Sequence, residues 1–150
     1  WRMASNLLCS CHRIHRAGRL VTRLYERAIA DSGSSLTPQQ FAVLAALAEV
    51  EAMTASELTE VVGADRSTLT RALERLDASG LVAGVPGTDR RERRFSVTAA
   101  GRSEFEVAVA GWRRAEGAMR RAMGPEKVAQ LWDLLEEAEA ATGTYVRKAV

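Results

Sequence analysis

The stretch from Thr54 to Thr98 reads TASELTEVVGADRSTLTRALERLDASGLVAGVPGTDRRERRFSVT. Thr54 followed three residues later by Glu57 is a capping box, in which each side chain satisfies the other residue's backbone N–H at a helix start. Leu58, Val61 and Val62 then fall on one helical face. Gly63 supplies the positive φ that a tight turn requires. Asp65 is a favourable N-cap for a second helix, where its charge also suits the positive end of the helix dipole.

In that second helix Leu69, Ala72, Leu73 and Leu76 recur with helical period and predict a buried stripe. Thr68, Arg71 and Arg75 fall on the opposite face, with Arg66, Ser67 and Thr70 near its N-terminal edge. Ser79-Gly80 predicts the stop, with glycine in the left-handed position just past the helix. Leu81–Val85 reads as a short strand, Pro86–Asp89 as a turn, and Arg93–Val97 as a returning strand with alternating faces. The arrangement is a helix-turn-helix followed by a hairpin, or wing, whose loop carries Asp89, Arg90, Arg91, Arg93 and Arg94.

This layout suits contact with duplex DNA at two depths. A helix fits the major groove, where arginine bonds guanine through two hydrogen bonds. A protruding basic hairpin beside it reaches phosphates or the minor groove. The candidate DNA-binding residues are therefore Arg66, Ser67, Thr68, Thr70, Arg71, Arg75, Asp89, Arg90, Arg91 and Arg93, with Asp89 holding an arginine in place. The bland alternative is a solvated face on a helical bundle. A second is a winged-helix module for protein interaction without specific DNA binding, although protein docking gives no reason for four guanidiniums on one hairpin.

Several of these segments resemble the MarR family of bacterial regulators: Leu36-Thr37-Pro38-Gln39-Gln40-Phe41, the run from Asp65 to Arg71, the step Gly80-Leu81-Val82, Asp89-Arg90-Arg91, and Phe95-Ser96-Val97-Thr98 leading to Gly101. The resemblance extends over nearly the whole chain. It implies a winged-helix homodimer on a pseudo-palindromic operator, usually a repressor, often released by a small molecule or by oxidation. It also implies an effector pocket between dimer helices and reading domain, for which Phe41, Met53, Trp112 and Tyr25 are candidate walls that equally read as core.

The chain of 150 residues is long enough for one domain with a proper core. Its hydrophobic fraction of 47% and charged fraction of 27% are ordinary for a globular protein. No apolar run approaches the roughly 20 residues that span a bilayer, and no secretory signal is read at the N-terminus. The expected location is the cytoplasm, with no membrane partner. Net charge is only +2, but it is unevenly spread: residues 1–30 hold six arginines against Glu26, and residues 125–140 hold five acids against Lys127.

Long helices flank the central lobe. The first is expected from about Ser5 to Ala30, with Leu7, Cys11, Ile14, Gly18, Val21, Tyr25 and Ala28 forming a heptad-like seam. After a Gly/Ser loop, Thr37-Pro38-Gln39-Gln40 begins another helix, with a threonine cap, proline in the first turn and glutamine at the third position. Thr98 caps a long helix that Gly124-Pro125 ends. The last helix sets Val128, Leu131, Trp132, Leu135 and Ala138 against an acidic face. The fold class read from this is mainly α with a small β-hairpin wing. One domain spans 1–150, with the winged helix-turn-helix lobe at 37–98 and dimerisation helices at 1–30 and 99–150.

The two cysteines and two histidines crowd one helix as Cys9, Cys11, His12 and His15. Side chains two apart on a helix point about 200° from each other, which disfavours a Cys9–Cys11 disulfide. Each Cys–His pair offers at most two of the four ligands of a closed zinc site, so no metal is assigned. Cys11 on the seam also reads as a small hydrophobe. The resemblance adds a redox reading, because one peroxide-sensing branch of the family carries a reactive cysteine on its first helix. Cys11 and Tyr25 match its spacing, while the expected second tyrosine is missing near Thr37-Pro38. No phosphate-cradling glycine loop, nucleophile elbow or paired carboxylates appear, so neither an enzyme nor a cofactor is expected.

Overall fold

The structure, a computed structural model, describes residues 9–86 and 93–148. Leu7 and the wing-tip residues Asp89, Arg90 and Arg91 lie outside the described residues. The elements are α1 (Ser10–Ala30), α2 (Pro38–Ala48), β1 (Met53–Thr54), α3 (Ala55–Val62), α4 (Arg66–Ala78), β2 (Val82–Pro86), β3 (Arg93–Val97), α5 (Ala99–Met123) and α6 (Pro125–Lys148). Among the described residues no helix is long and apolar enough to cross a membrane.

Local chemistry sets the helix boundaries. Thr37 and Gln40 form a reciprocal capping box at the start of α2, and Thr54 and Glu57 form another at the start of α3. Each box satisfies two N–H groups that a helix leaves without an internal partner. Gly63 and Gly80 take the positive φ that closes α3 and α4. Thr98 caps α5 by accepting the Gly101 N–H at 3.0 Å, and its own hydroxyl donates to the Gly80 carbonyl at 2.7 Å. One side chain therefore ties the end of α4 to the start of α5.

The sheet has three antiparallel strands in the order β1-β3-β2. The predicted hairpin is its β2–β3 part, with Val82 opposite Val97 and Pro86 opposite Arg93. The third strand is a correction to the expected two: Met53 and Thr54 pair with Phe95 and Arg94. A two-residue strand has no alternation to reveal it in sequence.

The chain divides into two compact units, Trp1–Trp112 and Arg113–Val150, with the boundary inside α5. In the first unit the core gathers Ile29 of α1, Val43, Leu44 and Leu47 of α2, Leu58 of α3, the α4 stripe, Val82, Phe95 and Ala108. Each fully buried leucine contributes roughly 1.5–3 kcal/mol relative to exposure. Phe41 stacks on Trp112 at 6.1 Å and meets Phe105 at 5.0 Å. Ser34 donates to Glu104 of α5 at 2.7 Å while its oxygen accepts the Leu36 N–H, which pins the loop before α2.

The second unit is the end of α5 and α6, separated by Gly124 in positive φ. Arg120 bonds Glu116 at 3.1 Å and lies over the Trp132 ring at 5.0 Å. Val128 is buried, whereas Trp132, Leu134 and Leu135 are exposed.

Candidate nucleic-acid interface

The buried stripe of α4 (Leu69, Ala72, Leu73 and Leu76) fixes which residues face outward. Arg66, Ser67, Thr70, Arg71 and Arg75 are exposed and Thr68 is half-buried. The structure thus brings all six predicted helix residues onto the outward side of α4 or its edge.

Their hydrogen bonds are organised by Asp65. The N-cap carboxylate accepts the Thr68 N–H at 2.9 Å, the Ser67 hydroxyl at 2.6 Å and the Thr68 hydroxyl at 2.5 Å. These bonds, the Ser67 hydroxyl's foremost, hold the Asp65 carboxyl well below the usual carboxylate range. Ser67 in turn accepts from Arg71, whose Nη2 lies 3.2 Å from its Oγ and whose Nε lies 3.2 Å from its carbonyl oxygen. Thr70 donates to the Arg66 carbonyl. The hydroxyls read from sequence as base-facing are therefore already donating within their own helix, which leaves the arginines as the donors with most remaining capacity.

The base of the wing is equally ordered. Arg93 reaches from β3 to Asp77 of α4, with Nη2 to Oδ2 at 2.9 Å, and lies over the Phe95 ring at 5.1 Å. Gly84 on the neighbouring strand makes room for this: a Cβ there would come within 2.8 Å of the Arg93 Nε. Arg94, grouped by sequence with the protruding loop, instead turns inward to the Ala52 carbonyl at 2.8 Å and to Glu57 at 3.4 Å. The reason is the strand period, which sends adjacent residues to opposite faces. The Glu57 carboxyl is held low mainly by the Thr54 N–H, with the Arg94 charge a smaller contribution.

Sequence reading missed what lies between α4 and the start of α2. A cavity of about 270 Å³ opens between the first turn of α2 and α4, lined by Thr37, Gln39, Gln40, Thr68, Arg71, Ala72 and Arg75. Gln39 Nε2 is buried and has no hydrogen-bond partner. The double glutamine after Thr37-Pro38 was the only signal, and it reads as a capping box.

The sulfur candidates Cys9 and Cys11 lie at the start of α1. Cys9 and Cys11 are free and exposed, so among the described residues none covers Cys11 on the seam. Cys11 and Tyr25 are 14 residues apart on one helix, about 21 Å at 1.5 Å per residue. Among the described residues no group of three or more His, Cys, Asp or Glu is gathered to hold a metal. Of the four candidate effector walls, Phe41 and Trp112 are engaged with each other in an aromatic stack, and Met53 packs against the core.

The geometry has counterparts among known proteins. A family model described as the MarR family matches residues 34–92, a stretch that includes α2, the helix-turn-helix and the start of the wing. The crystal structure of the M. tuberculosis transcriptional regulator MosR in complex with DNA is 36% identical, covering 89% of this chain and 98% of that one at a TM-score of 0.75. A structure of Bordetella bronchiseptica BpsR, described as concerning regulation of its DNA binding by 6-hydroxynicotinic acid, is 26% identical, covering 88% of this chain and 94% of that one at a TM-score of 0.79. The transcriptional activatory protein BadR of Rhodopseudomonas palustris is 36% identical over 105 residues; the match takes in 61% of this chain and only 59% of that relative's length.

Proposed function

The chain belongs to the MarR family of transcriptional regulators, and we propose that it binds duplex DNA as a homodimer, reading a pseudo-palindromic operator with α4 and gripping the flanking backbone with the wing. The observation that carries this is the outward row Arg66, Arg71 and Arg75 beside a hairpin anchored to the same helix through Arg93 and Asp77. The outward guanidiniums of α4 stand beside a wing base joined to the same helix, which suits contact with a groove and its rims. The likeness to MosR, solved with DNA bound, supports the same reading.

Dimerisation is assigned to the helices outside the lobe, 1–30 and 99–150. Its support is the exposed apolar surface that they carry, including Ile14 and Leu20 on α1 and Trp132, Leu134 and Leu135 on α6. Two-fold symmetry would set two reading helices about 34 Å apart, one turn of duplex.

As a regulator the protein acts by occupying its operator and repressing, and release follows either a small-molecule effector or oxidation of Cys11. A relative whose DNA binding is regulated by 6-hydroxynicotinic acid supports the first route, and an exposed thiol on α1 supports the second. In the second, a hydroperoxide oxidises the Cys11 thiol to a sulfenic acid and is itself reduced to the alcohol. The name of BadR favours a second reading, activation from the same operator position.

A salt series of duplex affinities tests the core of the proposal. Phosphate contacts make the logarithm of the affinity fall steeply with the logarithm of salt. A flat dependence, or a monomer by sedimentation at micromolar concentration, overturns it. Selection from a random duplex pool followed by challenge with phenolic acids and hydroperoxides separates the release routes. A Cys11→Ser protein released by hydroperoxide as readily as wild type removes the thiol route.

A further inference from the structure

Gln39 is out of keeping with its surroundings. Buried polar groups in native proteins are nearly always partnered, yet its Nε2 is buried and donates to nothing. The residue sits in the first turn of α2, behind a cap whose other members are fully occupied: Thr37 Oγ1 accepts the Gln40 N–H, and Gln40 Oε1 accepts the Thr37 N–H. Gln39 has no part in that exchange. It lines the cavity between α2 and α4 instead, together with Arg71 and Arg75.

Gln39, Arg71 and Arg75 line the space with Thr37, Gln40, Thr68 and Ala72, and none of these is acidic. At about 270 Å³ it has room for a tetrahedral oxyanion and several waters, each taking about 30 Å³. Donors converging with positive charge on an open space recognise phosphate, because each oxygen of that group accepts and the charge strengthens every bond. Thr68, Arg71 and Arg75 come from the helix that meets the groove, so the phosphate nearest this space is one on the rim of that groove.

We infer that this cavity seats one backbone phosphate of the duplex, with Gln39 Nε2 donating to a non-bridging oxygen and Arg75 supplying the neutralising charge. This rests on the duplex-binding reading above and extends it to a neutral residue before the helix-turn-helix. It also accounts for a donor left unsatisfied in the free protein, since the partner arrives with the DNA.

The test compares the full chain with Gln39→Leu and Arg75→Gln on a mixed-sequence duplex about two turns long, across a salt series, alongside thermal unfolding and a titration with inorganic phosphate. Gln39→Leu is expected to keep or raise the unfolding midpoint, because an unsatisfied buried donor is gone. It is expected to bind every duplex about tenfold more weakly with the salt slope unchanged, since no charge was removed. Arg75→Gln is expected to flatten the slope by about 0.9.

Wild-type affinity in Gln39→Leu, while wild type itself binds DNA, overturns the inference and leaves the duplex reading intact. A fall in the unfolding midpoint that accompanies the loss of binding overturns it too, by making the amide structural. Inorganic phosphate that perturbs Gln39 without any change in duplex affinity on substitution assigns the cavity to a free anion and overturns the backbone contact. Failure of wild type to bind any duplex defeats both readings together.

Discussion

Arg93 on the returning strand of the wing is ion-paired to Asp77 of α4 at 2.9 Å, with both side chains exposed. The hairpin is thereby referenced to α4 and not only to the sheet. A pair so exposed adds little stability; what it does is join the base of the wing to α4 directly.

Gly84→Ala is expected to push the Arg93 guanidinium off Asp77, because the new Cβ would lie within 2.8 Å of it. Asp77→Asn removes the same ion pair from the other end. Each should cost less than about 1 kcal/mol of stability and should weaken duplex binding, and the double variant should be no weaker than the more affected single one. Additive losses in a double-mutant cycle would show that the two residues act separately.

Arg71 and Arg91 should fail in different ways. Arg71→Ala is expected to change the sequences recovered from a random pool, at about 1–3 kcal/mol for each base pair it reads. Arg91→Ala is expected to weaken all duplexes alike and to flatten the salt dependence by about 0.9. Equal, sequence-independent losses from both would contradict the assigned roles.

The Asp65 cap makes stability depend on acid. Its folded carboxyl is held below the ordinary value of 3.8 by Ser67 and Thr68, so the unfolded chain takes up the proton first as pH falls. The stabilisation is fully present above about pH 4 and declines as pH drops further towards the folded value. Asp65→Asn keeps a good N-cap and should lose this acid dependence. Thermal unfolding of the two proteins between neutral pH and about pH 3 would reveal it as midpoints that converge in acid.

Leu76 is fully buried in the α4 stripe, whereas Val61 on α3 is 65% exposed. Leu76→Ala is expected to cost about 2–5 kcal/mol through forfeited transfer energy and the cavity left behind. Val61→Ala should stay within about 0.5 kcal/mol. Chemical denaturation of both variants measures the contrast directly.

Much of the lobe was legible in one dimension because its signals are local. Capping boxes at Thr37/Gln40 and Thr54/Glu57, the Asp65 cap, the apolar stripe of α4 and the positive-φ glycines all act within a few residues of themselves. They could be read without knowing what packs where. The orientation of α4 followed too, since the leucine stripe leaves its arginines only one way to face.

Tertiary structure decided which of those polar groups remain available. Whether an arginine of the wing points outward or back to Asp77 or Ala52, and whether Gln39 finds an acceptor, depend on neighbours brought close by the fold. The two-residue strand β1 belongs to the same class, since it exists only by pairing with β3. Sequence alone therefore determined the elements and the face that α4 turns outward, because backbone capping and apolar periodicity are short-range. The folded chain assigned the donors and acceptors, because a hydrogen bond is satisfied by geometry and not by residue type.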